Sequence, residues 1–272
     1  MSNFVFNGHN VYYEEHGHGE PLVILNGIFM SCASWSAFLP TFAANFRTIL
    51  VDMMDQGKSD KMSHEYTQDL QIELVAALFE HMNLSKAHVC GISYGGEVAM
   101  SFAGKYPDKV DRMILANTTA VTTNWLRDIG RSWEYAFDSR DGRQFFKTCI
   151  PIVYSPMFYD QNYEWAQRRE DMFVQTLGAE VYDAFGRLTR SAETHDARHL
   201  LPKITAPTLI ISAEHDYVTP PYQQKEMAQL IPNAHHITIQ DAGHAVMYER
   251  PTEFATAVIG FLRIRGRINI VG

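Results

Sequence analysis

Cysteine is scarce in this 272-residue chain, which has only three, at Cys32, Cys90 and Cys149. They are odd in number and widely spaced, so they fit neither a metal-binding spacing nor a disulfide framework. Cys90 lies in an apolar run and reads as a small buried hydrophobe. Long apolar runs are missing too: none approaches the ~20 residues needed to cross a bilayer, so no stable membrane insertion is expected. Positive charge is in deficit, with 23 Lys and Arg against 31 Asp and Glu and a net charge of −8, and nothing points to a nucleic-acid partner. There is no internal repeat and no low-complexity segment, which removes solenoids and propellers. Reduced thiols and a polar start, Met1-Ser2-Asn3-Phe4, lead us to expect a cytoplasmic protein without a signal peptide.

Apolar residues are plentiful. At 46% hydrophobic content the chain can bury the core of one large α/β domain, with room for an insertion. Val11–Glu15, Leu22–Leu25, Thr48–Val51, Ala87–Cys90, Met113–Ala116, Thr208–Ser212 and His235–Ile239 read as strands. Several are continuous apolar runs, as strands buried on both faces require. Between them, Trp35–Ala44 (with a possible break at Pro40), Tyr66–Met82, Glu97–Ala103, Tyr222–Leu230 and Thr252–Leu262 have helical spacing. Leu70, Leu74, Ala77, Leu78 and His81 mark the buried face of the second. Strands alternating with helices predict a parallel sheet covered on both sides. His16 and His18 sit in a glycine-rich turn and read as a solvated hairpin tip.

The alternation breaks between residues 121 and 199, where the chain reads as helical with irregular joints. The 45 residues from Val121 to Trp165 hold eleven aromatics, about twice the chain average of 12%. A helical lid with an apolar underside would use such residues, and so would the lid's own core. The expected division is a core of residues 1–120 and 200–272 with a helical lid over 121–199. The tail from Arg263 to Gly272 reads as frayed in preference to a basic edge strand.

The chemistry concentrates at Gly91-Ile92-Ser93-Tyr94-Gly95-Gly96. A strand precedes it and a helix follows. Glycines on both sides allow the sharp turn that lifts a serine hydroxyl clear of a sheet. The amide after the serine, that of Tyr94, then faces an incoming oxyanion with a helix N-terminus behind it. A serine hydroxyl needs an imidazole to take its proton and a carboxylate to orient that imidazole. Ser93, Asp216 and His244 each follow a strand, in the chain order serine, acid, histidine. In a parallel sheet those strand ends share one rim. Asp241 and Glu214 are the competing acids. Asp241 shares a loop with His244 and can hardly reach the outer ring nitrogen, and Glu214 is read as facing elsewhere. Asn117-Thr118-Thr119, at another strand end, has no carboxylate.

These motifs resemble the α/β-hydrolase superfamily, in its serine-nucleophile, lidded, carboxylesterase-like branch. Leu25-Asn26-Gly27 with Trp35, Asp52 to Ser59, Gly91 to Gly96, Tyr106 to Val110, Asp216 with Thr219-Pro220, and Gly243-His244 followed by Glu249-Arg250-Pro251 carry the resemblance along almost the whole chain. It implies a mostly parallel eight-stranded sheet with one antiparallel strand, flanked by helices, with Ser93, Asp216 and His244 as triad. It implies an oxyanion hole made by the backbone N–H groups of Ile28 and Tyr94. It further implies a small-molecule acyl substrate and no metal or organic cofactor. The activity implied is hydrolysis of an ester, lactone or thioester through an acyl-enzyme. An acyltransferase using the same intermediate and a non-catalytic binding homologue are the alternatives. Two positions depart from the family pattern: Asn26 stands where a histidine is usual, and Asp55 where a glycine is usual.

Overall fold

The computed structural model describes residues 2–266 of the chain. Eight strands form one sheet: β1 (Ser2–Phe6), β2 (His9–His16), β3 (Pro21–Leu25), β4 (Arg47–Val51), β5 (Ala87–Ile92), β6 (Val110–Ala116), β7 (Thr208–Ala213) and β8 (Ala234–Ile239). Their order across the sheet is β1-β2-β4-β3-β5-β6-β7-β8. From β4 onward every pairing is parallel, and β2 runs antiparallel to both of its neighbours. The sheet is therefore mostly parallel with one reversed strand.

Side-chain alternation along the central strands divides the core in two. Val23, Leu25, Val89, Met113, Leu115 and Ile210 point to one face and meet α2 (Asp69–His81), α3 (Tyr94–Lys105) and α9 (Pro221–Leu230). Leu22, Ile24, Cys90, Ile114, Leu209 and Ile211 point to the other and meet Trp35, α1 (Leu39–Ala43) and α11 (Pro251–Arg263). Each fully buried aliphatic side chain in this double layer contributes about 1.5–3 kcal/mol. All three cysteines are buried, and burial pushes the Cys90 thiol up to about 12.

Three local features differ from the sequence reading. The polar N-terminus is a strand: Phe4 and Phe6 point inward while Val5 is 70% exposed, and Phe4 stacks on His81. Two inward side chains are too few to give a periodic signal. Pro40 sits in the first turn of α1 instead of breaking a longer helix, because an N–H there has no intrahelical hydrogen bond to lose; a short 3-10 turn over Cys32–Trp35 precedes it. Helix α2 begins only at Asp69, so Tyr66 lies outside it. Arg263 closes α11, and the tail reading for residues 267–272 falls outside the described residues.

Between β6 and β7 run α4 (Asn124–Asp138), α5 (Gly142–Cys149), α6 (Pro156–Gln161), α7 (Tyr163–Thr176) and α8 (Ala179–Ser191). Their aromatic residues divide between two uses. Phe137, Phe145 and Phe146 are buried among the inserted helices, while Trp133 and Tyr154 line cavities over the sheet. A short α10 (Val246–Glu249) leads into α11. Among the described residues no helix is long and apolar enough to cross a membrane.

The insert is tied down by a buried ion pair. Arg187 of α8 donates to Asp55 through Nε at 3.0 Å and through a terminal nitrogen at 2.7 Å. The side chains are 11% and 0% exposed. Asp55 has φ +68°, the backbone region in which glycine is unstrained, so the carboxylate is held there against a conformational cost. Removing one member of such a pair leaves an unpaired buried charge. Arg187→Met is expected to lower unfolding stability in urea by about 3–5 kcal/mol. The double variant Arg187→Met/Asp55→Gly should recover part of that loss. A double variant no more stable than Arg187→Met would show that the pair is not what holds Asp55 in place.

Candidate active site

Ser93 connects β5 to α3 with φ +53° and ψ −122°, a conformation that no neighbouring strand or helix residue shares. Three glycines make it possible. A Cβ on Gly91 would lie 2.3 Å from the Gly95 carbonyl oxygen, one on Gly95 would lie 2.2 Å from the Leu25 oxygen, and one on Gly96 would lie 2.6 Å from Thr118. None of these distances is tolerable. Two hydrogen bonds pin the turn: Ser93 N–H donates to the Ala116 carbonyl at 2.9 Å, and the Thr118 hydroxyl donates to the Ser93 carbonyl at 2.7 Å.

The rim of the sheet brings the three residues together across 123 and 28 positions of chain. His244 Nε2 lies 2.9 Å from Ser93 Oγ. On the other side of the ring, His244 Nδ1 lies 2.9 Å from Asp216 Oδ2 and 3.0 Å from Oδ1. Asp216 is 1% exposed and well supplied with donors. The amides of Val218 and Thr219 donate to Oδ1 at 2.9 and 2.8 Å. The Thr219 hydroxyl and Asn117 Nδ2 each donate to Oδ2 at 2.8 Å. The competing acids are turned away: Glu214 accepts from the Asp241 amide at 3.1 Å, and Asp241 lies 3.3 Å from Arg250.

The loop after β3 carries Ile28. Among the described residues, no hydrogen bond is made by the amide N–H of Ile28 or of Tyr94. Asn26 fixes this loop: its Nδ2 donates to the Val51 carbonyl at 2.9 Å and its Oδ1 accepts from Trp35 Nε1 at 2.8 Å. Gln56 Nε2 donates to the Gly27 carbonyl at 3.0 Å. Asp52 accepts from the Cys32 and Lys58 amides at 2.7 and 2.8 Å, holding the flanking turns. An asparagine at position 26 thus meets a buried donor and a buried acceptor at once.

Several contributors have roles that the sequence reading does not assign, Glu249 among them although its motif is noted there. Asn117 carries no acid and so offers the sequence reading no triad member, although its place at the end of β6 is a positional signal. Glu249 accepts from the Gly243 amide at 3.0 Å and from the Ser155 amide and hydroxyl, which joins the His244 loop to the insert. Burial pushes its carboxyl up, against the hydrogen bonds from Ser155 and Gly243. Glu97 follows Ser93 by four residues, in a stretch of α3 otherwise made of glycine and apolar residues up to Met100, and is 4% exposed. Burial pushes its carboxyl up to about 8, only partly opposed by a hydrogen bond from Gln68.

Two cavities meet at Ser93. One, of ≈ 120 Å³, is lined by Ser93, Tyr94, Glu97, Trp133 and Val218, with charged residues of α4, α8 and Glu193 also on its wall. The other, of ≈ 110 Å³, is lined by Ser93, His244, Tyr154, Phe173, Met247 and Tyr248. Ile28 borders both.

A family model described as alpha/beta hydrolase fold matches residues 20–251. An alpha/beta hydrolase enzyme, MGS-M2, from a Medee basin deep-sea metagenome library superposes with a TM-score of 0.96 at 41% identity, over 99% of this chain and 100% of that one. A thermophilic esterase from Thermogutta terrifontis gives a TM-score of 0.82 at 26% identity, over 96% of each chain. In sequence, 2-hydroxy-6-oxo-6-(2'-aminophenyl)hexa-2,4-dienoic acid hydrolase from Metapseudomonas resinovorans is 25% identical, over 94% of this chain and 89% of its own length.

Glu97 generates a stability prediction. Its folded-state value lies above the ordinary 4.5, so the stability its protonated form supplies is fully present below pH 4.5 and is lost as pH rises through about 8. Glu97→Gln keeps an acceptor for Gln68 and cannot ionise. The charged groups lining the same cavity, Arg127, Arg131, Glu134, Arg190 and Glu193, are unchanged in that variant. Between pH 5 and 8 the stability of the wild type should fall relative to Glu97→Gln, by on the order of 1 kcal/mol per pH unit. Parallel pH profiles in chemical denaturation would refute the assignment.

Proposed function

The chain belongs to the α/β-hydrolase family, and on that premise we propose that it is a serine hydrolase cleaving a carboxylic ester, lactone or thioester through an acyl-enzyme on Ser93. The observation that carries the reading is the unbroken line from Ser93 Oγ to His244 Nε2, and from His244 Nδ1 to Asp216, opening on a cavity. A serine bonded to an imidazole, which is bonded in turn to a buried carboxylate, has the parts that nucleophilic catalysis needs.

In this mechanism Ser93 Oγ attacks the substrate carbonyl carbon while its proton passes to His244 Nε2. The carbonyl π electrons move onto oxygen, which the Ile28 and Tyr94 amides hold by two hydrogen bonds. Such donors are typically worth ~3 kcal/mol each in the transition state. The electrons return, the bond to the leaving oxygen or sulfur breaks, and His244 passes its proton to that atom. A water molecule then gives a proton to His244 and attacks the acyl carbon. Collapse frees the acid and restores the proton to Ser93. Asp216 keeps the imidazole in the tautomer that presents Nε2 as acceptor. The esterase among the similar structures supports a carbonyl substrate.

Two measurements test this. A fluorophosphonate probe should label the wild type and leave Ser93→Ala unlabelled; equal labelling of both would remove Ser93 as nucleophile. His244→Ala should lose at least ~10³ in turnover of acyl esters, and retention of most activity would rule out the proposed base. Following free acid beside acylated product, with candidate alcohol or thiol acceptors present, tests hydrolysis against acyl transfer.

A further inference from the structure

The acyl-enzyme reading fixes which cavity holds which half of the substrate. The leaving atom must come within reach of His244 Nε2, and His244 lines only the second cavity. The first cavity, beside Tyr94, is left for the acyl chain. Resting on that reading, we propose that Glu97 is a specificity-determining residue that hydrogen-bonds an uncharged oxygen-bearing group, a ketone or hydroxyl, on the acyl chain.

Glu97 lies one turn into α3 from the Ser93 cap, its amide donating to the Ser93 carbonyl at 3.2 Å, so it stands about 6 Å along the helix axis from Ser93, and both residues line the first cavity. Its side chain is buried, yet it has no cationic partner among the described ion pairs. Its one hydrogen bond is from Gln68 Nε2 to Oε2, and among the described hydrogen bonds none engages Oε1. Tying α2 to α3 needs only the Oε2 contact, and a glutamine at position 97 would supply it without a buried acid. A carboxyl that borders the cavity with an unengaged oxygen is placed to meet a ligand. Because burial keeps it protonated at neutral pH, it can donate as well as accept.

The surrounding charges select the ligand's character. Arg127, Arg131 and Arg190 line the same cavity, so an ammonium group entering it would meet three guanidinium groups. Those guanidiniums are already engaged: Arg127 and Arg131 lie 4.0 and 3.7 Å from Glu193, and Arg190 lies 2.8 Å from Glu65. An anionic group would meet the Glu134 and Glu193 carboxylates on the same wall. A neutral oxygen has neither difficulty. The spacing between Ser93 and Glu97 puts it about three to five atoms beyond the scissile carbonyl.

The test compares the p-nitrophenyl esters of heptanoate and of 4-, 5- and 6-oxoheptanoate. In the wild type, kcat/KM for the best oxo ester should exceed that for heptanoate by at least about tenfold, the worth of one good hydrogen bond. Glu97→Leu should bring the ratio to near one, and Glu97→Gln should keep part of it. Glu97→Ala replaces Glu97→Leu if the latter fails to fold. No preference in the wild type, or an unchanged ratio in Glu97→Leu, overturns the proposal. So does a preference that appears only when the oxygen is moved to the alcohol half, in hexyl against 5-oxohexyl acetate. Calorimetric binding of the ethyl esters to Ser93→Ala separates this from the parent reading. Failure of the wild type to cleave any ester would sink the acyl-enzyme alone. Tighter binding of an oxo ester, lost in Ser93→Ala/Glu97→Leu, still supports the role of Glu97, and equal affinities refute it.

Discussion

Everything at the rim of the sheet depends on three hydrogen atoms standing where side chains would otherwise be. Ser93 adopts a positive φ, a conformation that costs on the order of 1–3 kcal/mol for a residue with a Cβ. It persists because Gly91 and Gly95 let backbone approach backbone, and Gly96 lets the Thr118 side chain sit against the turn. That close packing turns the hydroxyl toward His244 and leaves the Tyr94 amide facing outward at the start of α3. The glycines are as much a part of the site as the residues that carry functional groups.

The rim also shows how one sheet edge gives two acids different surroundings. Asp216 and Glu97 are both buried, yet four protein donors besides His244 converge on Asp216, and Glu97 receives one. The first environment places donors on both carboxylate oxygens and fixes the carboxylate beside the imidazole. The second favours the neutral acid, because hydration has been removed and little has replaced it. The difference arises from two backbone amides, a threonine hydroxyl and an asparagine amide around Asp216, against a single glutamine at the N-cap of α2 beside Glu97.

This contrast also explains what could be read in the sequence. Ser93, Asp216 and His244 were legible because each follows an apolar run that must be a strand, and parallel strands place their ends on one rim. The two-faced core was legible for the same reason. What escaped were pairings between residues distant in the chain and without a local signature. Asp55 and Arg187 are 132 positions apart, Ser155 and Glu249 are 94, and Asn117 and Asp216 are 99. Nothing near Asp55 announces that an arginine from an inserted helix will descend on it. Asn117 stands at the end of β6, but its residue type does not say that its amide will serve a carboxylate on a neighbouring strand end. The N-terminal strand escaped because its evidence is two phenylalanines and a partner strand.

The Asp55–Arg187 pair bears on how such a chain can be remodelled. The segment between β6 and β7 lines both cavities at Ser93, so exchanging it for another is a direct way to change what the pocket accepts. Here the segment's anchor is shared with the scaffold, so a borrowed roof lacking a guanidinium at this point would leave a stranded acid in the floor, and this roof moved to a host with glycine there would arrive with nothing to grip. The two positions make one unit of inheritance, and a working chimera has to carry both.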